Sequence, residues 1–169
     1  TYYTLLQESL VPTDESVPGE SGVQGESGST RLYRRSLYYY HKAIQGHPDN
    51  VEAHNNLGDL HYLMHAYQSA AQAYKTAVEI DPACAEAHNN LAYTLRKQGA
   101  DHFDEALVHY NRAIELNPNL PEPYMYRGVL YVQMGNKPLA LKEGDNVQRC
   151  IECHKKPGER PKGKDAPKL

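Results

Sequence analysis

The chain of 169 residues has no Trp, one Phe and three Cys, and no apolar run near the roughly 20 residues that a membrane-spanning helix needs. A transmembrane span is therefore excluded. Three Cys do not make the framework that staples small secreted domains, so their positions matter more than their number. Fourteen Tyr stand where Phe and Trp are scarce, and their polar tips suit half-buried helix faces. Basic residues are sparse outside the tail. Residues 155–169 carry six Lys or Arg against Glu159 and Asp165, leaving residues 1–154 with 12 basic against 19 acidic side chains. An acidic body offers no basic face to nucleic acid, and the tail reads as a solvated terminus. No nucleophile, paired carboxylates or phosphate loop appears on a scaffold that would organise it. The GxxGxxGxxG at 19–28 lacks the strand and helix flanks such a loop requires, so no catalytic residue is assigned.

What is present is a repeat. EAHNNL occurs at 52–57 and again at 86–91, a spacing of 34 residues. Ala70, Tyr74, Ala77 and Pro82 follow the first copy. Ala106, Tyr110, Ala113 and Pro118 follow the second, two residues late, with the extra length in the loop at 99–102. Ser36, Tyr40, Ala43 and Pro48 fit the frame upstream, and Tyr124, Gly128, Tyr131, Gly135 and Ala140 downstream. Each unit has apolar or small residues at i, i+3, i+4 and i+7, the helical period. The Ala positions let helices approach closely, the Tyr positions fill gaps, and the Pro residues stop the second helix of each pair.

These residues resemble the tetratricopeptide repeat, whose 34-residue unit is two antiparallel helices. The resemblance covers about residues 31–143. It implies an all-α fold: a right-handed superhelix of helix pairs, a solenoid of three to four units. The expected organisation is an N-terminal helix and flexible acidic Gly-Ser-Pro insertion over 1–30, the solenoid over 31–143, and a C-terminal segment over 144–169. Within 1–30, residues 2–10 read as the first helix of unit one and 11–30 as a flexible insertion between its two helices; the alternative is a first unit of half a repeat with a disordered lead. Gly144, Asp145 and Asn146 are expected to interrupt or end the last helix.

The resemblance also implies a function, the docking of proteins. In that family the first helix of each unit lines a groove, and an Asn there bonds an extended peptide backbone. Asn56 and Asn90 hold the matching position, with Tyr126 in the fourth unit. Tyr62, Tyr93, Arg96 and Lys97 complete the expected groove, beside Asn55, Asp59, Asn89, Met125 and Val129. Equally, the two Asn amides bond only between helices. Arg96 and Lys97 attract an acidic peptide end, but the second unit adds no Lys or Arg on its first helix, so no chaperone tail is expected. His54 and His88 stand at a position normally aromatic and read as packing residues. His61 and His65 form at most half a metal site.

The C-terminal segment holds a different signal. Cys150, Cys153 and His154 form C-x-x-C-H, the attachment pattern of a c-type haem, in which two thiols bond the haem vinyl groups and the His meets the iron as a metal ligand. The surrounding CIECHKKPGE resembles attachment segments of multihaem cytochromes. Heme c and electron transfer are the implied cofactor and role, with Met125, Met134, His102 and His109 as candidates for the second iron ligand. A zinc site would need a fourth ligand, and Cys84 lies about four helices away and reads as a buried small residue. The alternatives are a haem-free scaffold with a thiol or metal site, or a neutral tail. The expected partners are proteins, among them other cytochrome or membrane-complex subunits. The compartment is periplasmic or extracellular if haem is attached, and otherwise cytoplasmic. TYYTLLQESL lacks the basic start and apolar run of a secretory signal, but a chain beginning at Thr1 assigns no compartment by this.

Overall fold

The computed structural model describes residues 28–154, with side chains through residue 146. The residues at 2–10, the stretch from 11 to 27 and the tail at 155–169 lie outside the described residues. All regular structure among the described residues is helical: α1 Gly28–Gly46, α2 Val51–Leu63, α3 Tyr67–Ile80, α4 Ala85–Gln98, a 3-10 turn Ala100–His102, α5 Phe103–Leu116, α6 Pro121–Gln133 and α7 Lys137–His154. This is the expected all-α class. Residues 28–30, expected in the flexible stretch, instead open α1. The helices fall into two compact units that part between Pro82 and Ala83.

In the first unit, α1 packs on α2 and α2 on α3. Asn50 starts α2: its side-chain oxygen accepts from the Ala53 N–H at 2.9 Å, satisfying one of the free donors at a helix N-terminus. Leu37, Leu57 and Ala73 form the core, with Tyr33, Tyr40, Ile44 and Leu60 packed around it. Gly58 lies under the Tyr74 ring, where an added Cβ would sit 2.5 Å from Cε1. The ring can settle there only on a glycine, and its hydroxyl then donates to Asp59 Oδ1 at 2.5 Å. The turn into α3 needs a left-handed residue. His65, φ 59°, supplies it, its N–H bonding the Tyr62 carbonyl while Ala66 N–H reaches the His61 carbonyl.

In the second unit, α4 packs on α5, α5 on α6, and α6 on α7. Ala106, Ala113 and Tyr110 are completely buried with Leu91, Ala92 and Leu130, as the repeat frame requires. The two inserted residues are absorbed where expected, by Gly99 at φ 122° and the 3-10 turn after it. Gly135, φ 76°, makes between α6 and α7 the same turn that His65 makes between α2 and α3, with Gly135 N–H on the Val132 carbonyl and Asn136 N–H on the Tyr131 carbonyl.

The last helix departs from expectation. It runs through Gly144, Asp145 and Asn146 to His154. Gly144 sits in open space, so it costs only its poor helix propensity, about 1 kcal/mol. The residues beside it hold the helix. Arg127 donates to Glu143 Oε1 at 2.8 Å and to Asn111 Oδ1, and Asn146 Nδ2 donates to Glu143 Oε2 at 3.1 Å. Glu143 and Asn146 are both buried.

Candidate functional site

The face that α4 and α6 share in the second unit gathers polar groups that folding leaves unsatisfied. Asn89, Tyr93 and Arg96 are spaced i, i+4 and i+7, so they lie along one side of α4. The Tyr93 ring meets Tyr126 of α6 at a centroid distance of 4.5 Å. Arg96 lies over Tyr93, its guanidinium carbon 4.9 Å from the ring centre, and Lys97 Nζ is 5.7 Å from the same point. Each contact is favourable because the ring face is electron-rich.

Arg96 is 8% exposed. Its Nη1 donates to Gln133 Oε1 at 3.2 Å, its Nε has no hydrogen-bond partner, and no carboxylate among the described residues pairs with it. Asn89 is 7% exposed; its Nδ2 donates to Asn90 Oδ1 at 3.3 Å while its own Oδ1 accepts nothing. On α6, Glu122 Oε2 is likewise buried and without a partner. Burial raises the Tyr126 hydroxyl above the ordinary tyrosine range, with Tyr93 and Glu122 adding to the effect and Arg96 opposing it.

The structure thus brings Tyr93, Arg96 and Lys97 together, with Asn90 on the same helix. Asn56 and Tyr62 lie on α2 in the first unit, Asn56 half-buried and Tyr62 packed on Tyr67 with ring centres 5.4 Å apart. Glu122 and Gln133 were not expected. Their only sequence signal is their register, since α6 repeats α4 and places them on the same side as Tyr126.

The histidines have structural work. His54 Nε2 donates to the Pro48 carbonyl at 3.0 Å, and Tyr124, at the matching position in α6, donates to the Pro118 carbonyl at 3.2 Å. The landmark position therefore clips the loop made by the closing proline, and at His54 it is a half-exposed clip instead of the expected packing wedge. His88 is buried and shares an Nδ1 to Nδ1 hydrogen bond of 2.9 Å with His109. His61 Nδ1 shares one of 3.2 Å with the Tyr33 hydroxyl, and His65 engages the Tyr67 hydroxyl. No group of three metal-binding side chains converges among the described residues.

Cys84 is the N-cap of α4, half-buried with a free thiol, so it is less enclosed than expected. Cys150, Cys153 and His154 fall in the last turns of α7, their side chains outside the described residues. Of the candidate second iron ligands, Met125 and Met134 are exposed, His102 stands 3.9 Å from Glu105, and His109 is engaged by His88.

The TPR repeat profile matches residues 66–99 and 102–135. These two segments are tetratricopeptide repeats. The match runs from α3 into α4 and from α5 into α6, the same unit counted from its second helix. The Protein O-mannosyl-transferase TMTC3 of Homo sapiens is 27% identical over 155 residues, covering 83% of this chain and 17% of that protein. Its counterpart in Mus musculus is 26% identical over the same shares. The chain spans about a sixth of the length of these relatives. Among solved structures, MamA superimposes with a TM-score of 0.63 at 19% identity, over 75% of this chain and 80% of that one. A second MamA structure gives 0.60 at 19% identity, over 79% and 82%. At such identity the likeness establishes the fold alone.

Proposed function

We propose that the tetratricopeptide repeats dock an extended segment of a partner protein on the α4–α6 face, and that the chain is an accessory subunit of a larger complex. The supporting observation is the match of residues 66–99 and 102–135 to the tetratricopeptide repeat, together with the Tyr93–Tyr126 contact and the exposed Lys97 beside it on this face. A polypeptide main chain offers N–H donors and C=O acceptors in alternation, which an amide such as Asn90 can meet with one side chain. Asn56 and Asn90 are proposed to hold backbone in the same way. The named activity of the transferase relatives belongs to proteins of which this chain covers 17%, and no catalytic role is proposed for it. The test is a pull-down from the native source. Capture of a defined partner that is lost in the Asn56→Ala, Asn90→Ala double variant supports the reading; undiminished capture removes these two residues from it.

We further propose that Cys150, Cys153 and His154 carry one c-type haem, with the chain acting among periplasmic or extracellular cytochromes or membrane-complex subunits. The C-x-x-C-H spacing supports this, and so does the helical backbone of α7 through His154, because positions three and four apart fall on one helical stripe. Both cysteine positions and the histidine position then lie along the same stripe, as two thioether bonds and a neighbouring iron ligand require. A haem there would supply one-electron transfer. Haem staining after denaturing electrophoresis of the natively purified protein decides the matter. Colour that survives denaturation supports covalent attachment, and its absence leaves a haem-free scaffold in which the cysteine pair is a thiol or metal site or a neutral terminus.

A further inference from the structure

We infer that the first unit docks on an anionic bilayer surface through the outer side of α1 and the α2–α3 turn, independently of any partner held by the α4–α6 face. Acidic side chains prevail over the whole chain, yet α1 holds Arg31, Arg34, Arg35 and Lys42 and neither Asp nor Glu. Arg31, Arg35 and Lys42 are spaced four and seven residues apart, so they share one side of the helix, turned away from Leu37 in the core. All three are exposed, and they extend over roughly 16 Å. The Arg35 guanidinium lies over the Tyr39 ring at 5.9 Å, and Lys42 Nζ is 5.7 Å from the Tyr38 ring centre. Cations laid beside tyrosine rings suit the headgroup layer of a membrane. The repeat does not require these charges. At the matching positions of α3, Ser69 stands for Arg35, Gln72 for Tyr38 and Thr76 for Lys42.

One end of this stripe is apolar. The Tyr33 hydroxyl, near the start of α1, shares its 3.2 Å bond with His61 near the end of α2, so the start of α1 lies beside the α2–α3 turn. Leu32 is 66% exposed there, and in the turn Leu63 is 72% and Met64 44% exposed. The turn itself does not demand them, since Lys97 and Gln98 hold the matching positions after the next EAHNNL. Tyr62 and Tyr67 flank the pair with ring centres 5.4 Å apart. Apolar side chains, tyrosines and cations at one end of the unit match the acyl chains, interfacial layer and phosphates of a bilayer. A nucleic acid would meet the cations but leave Leu63 and Met64 in water. A short acidic peptide is favoured less, because the cations are strung along a helix and do not converge on one point.

The test is co-sedimentation of the full chain with vesicles of phosphatidylcholine alone or with about one third phosphatidylglycerol. The anionic vesicles are expected to bind at least about tenfold tighter than the neutral ones, with the preference shrinking as salt is raised. The Arg31→Gln, Arg35→Gln double variant changes two exposed positions and is expected to weaken anionic binding at least about tenfold. Undiminished binding by that variant transfers the attraction to the basic tail at 155–169 and overturns the proposal. Because the chain has no Trp, Leu63→Trp supplies a single indole at an exposed position. Its emission is expected to move to shorter wavelength with anionic vesicles and to stay in place with neutral ones. Equal binding to both vesicles, binding to neither, or an indole that keeps its aqueous emission overturns the proposal. Polyglutamate or a single-stranded oligonucleotide that binds as tightly as the anionic vesicles, and equally well to the Leu63→Ser, Met64→Ser variant, assigns the stripe to an acidic protein or a nucleic acid and overturns it as well.

Discussion

Gly58 and His61 show how single residues set the packing of the first unit. A Cβ at Gly58 would stand 2.5 Å from the Tyr74 ring, so Gly58→Ala must push the ring away and break its bond to Asp59. Alanine is the better helix former by about 1 kcal/mol, yet overpacking costs about 1–3 kcal/mol, and Tyr74 is almost completely buried with little room to yield. The variant is expected to be less stable by about 1–2 kcal/mol in urea denaturation. His61 is held below its ordinary pKa by burial first and by the nearby His41 second, and its Nδ1 accepts from Tyr33 only while neutral. As pH falls below about 6.5, the unfolded chain takes up this proton before the folded one does, so stability declines toward acid. His61→Gln is expected to flatten the decline. An unchanged slope of denaturation midpoint against pH would show that His61 does not carry it.

At the scale of the helix, α7 is the informative case. Gly144 within GDN reads as a break, and the local signal is real, but a poor helix former at an exposed position costs about 1 kcal/mol, whereas the flanking bonds to Arg127 are made in a buried setting. Arg127 and Glu143 lie sixteen residues apart and read as unrelated surface charges until α6 and α7 are laid against each other. Two substitutions separate the effects. Gly144→Ala has open space for its methyl group and is expected to stabilise by about 0.5–1 kcal/mol. Glu143→Ala strands the Arg127 guanidinium and is expected to destabilise by about 3–5 kcal/mol, with loss of helical circular dichroism from α7. If Glu143→Ala is no worse than an ordinary surface change, the ion pair does not hold this helix.

Among the described residues, burial is uneven. The largest of their side chains that are fully enclosed, Tyr110, Leu91, Leu130, Thr94 and Pro123, all belong to the second unit. In α1 Leu37 alone is buried. Repeat proteins are stabilised by each helix pair and its neighbours, so thinly packed elements open first. Hydrogen exchange followed by mass spectrometry is expected to show the slowest amides in α4, α5 and α6 and the fastest helical ones in α1. The reverse order would mean that burial does not rank stability here. The repeat itself was legible from sequence. EAHNNL recurring after 34 residues, the Ala and Tyr landmarks and the closing prolines located the helix pairs, and the two-residue insertion was placed in its loop. Those features are legible because a repeat writes the same local physics twice. Asn90, Tyr93, Arg96 and Lys97 were legible as a groove by register, but Glu122 and Gln133 were not, since an acid and an amide on a helix carry no local mark of being buried.

Amino-acid order by itself determined where helices form, where prolines and glycines end them, and that C-x-x-C-H follows the repeats, because each depends on residues within a turn or two of one another. Only tertiary structure decided that α7 passes through Gly144, that His54 clips a loop while His88 pairs with His109, and that Arg96 is a buried cation beside Tyr93 bonded to Gln133. Those outcomes turn on desolvation and on pairing between residues far apart in the chain, and neither exists until the helices have packed.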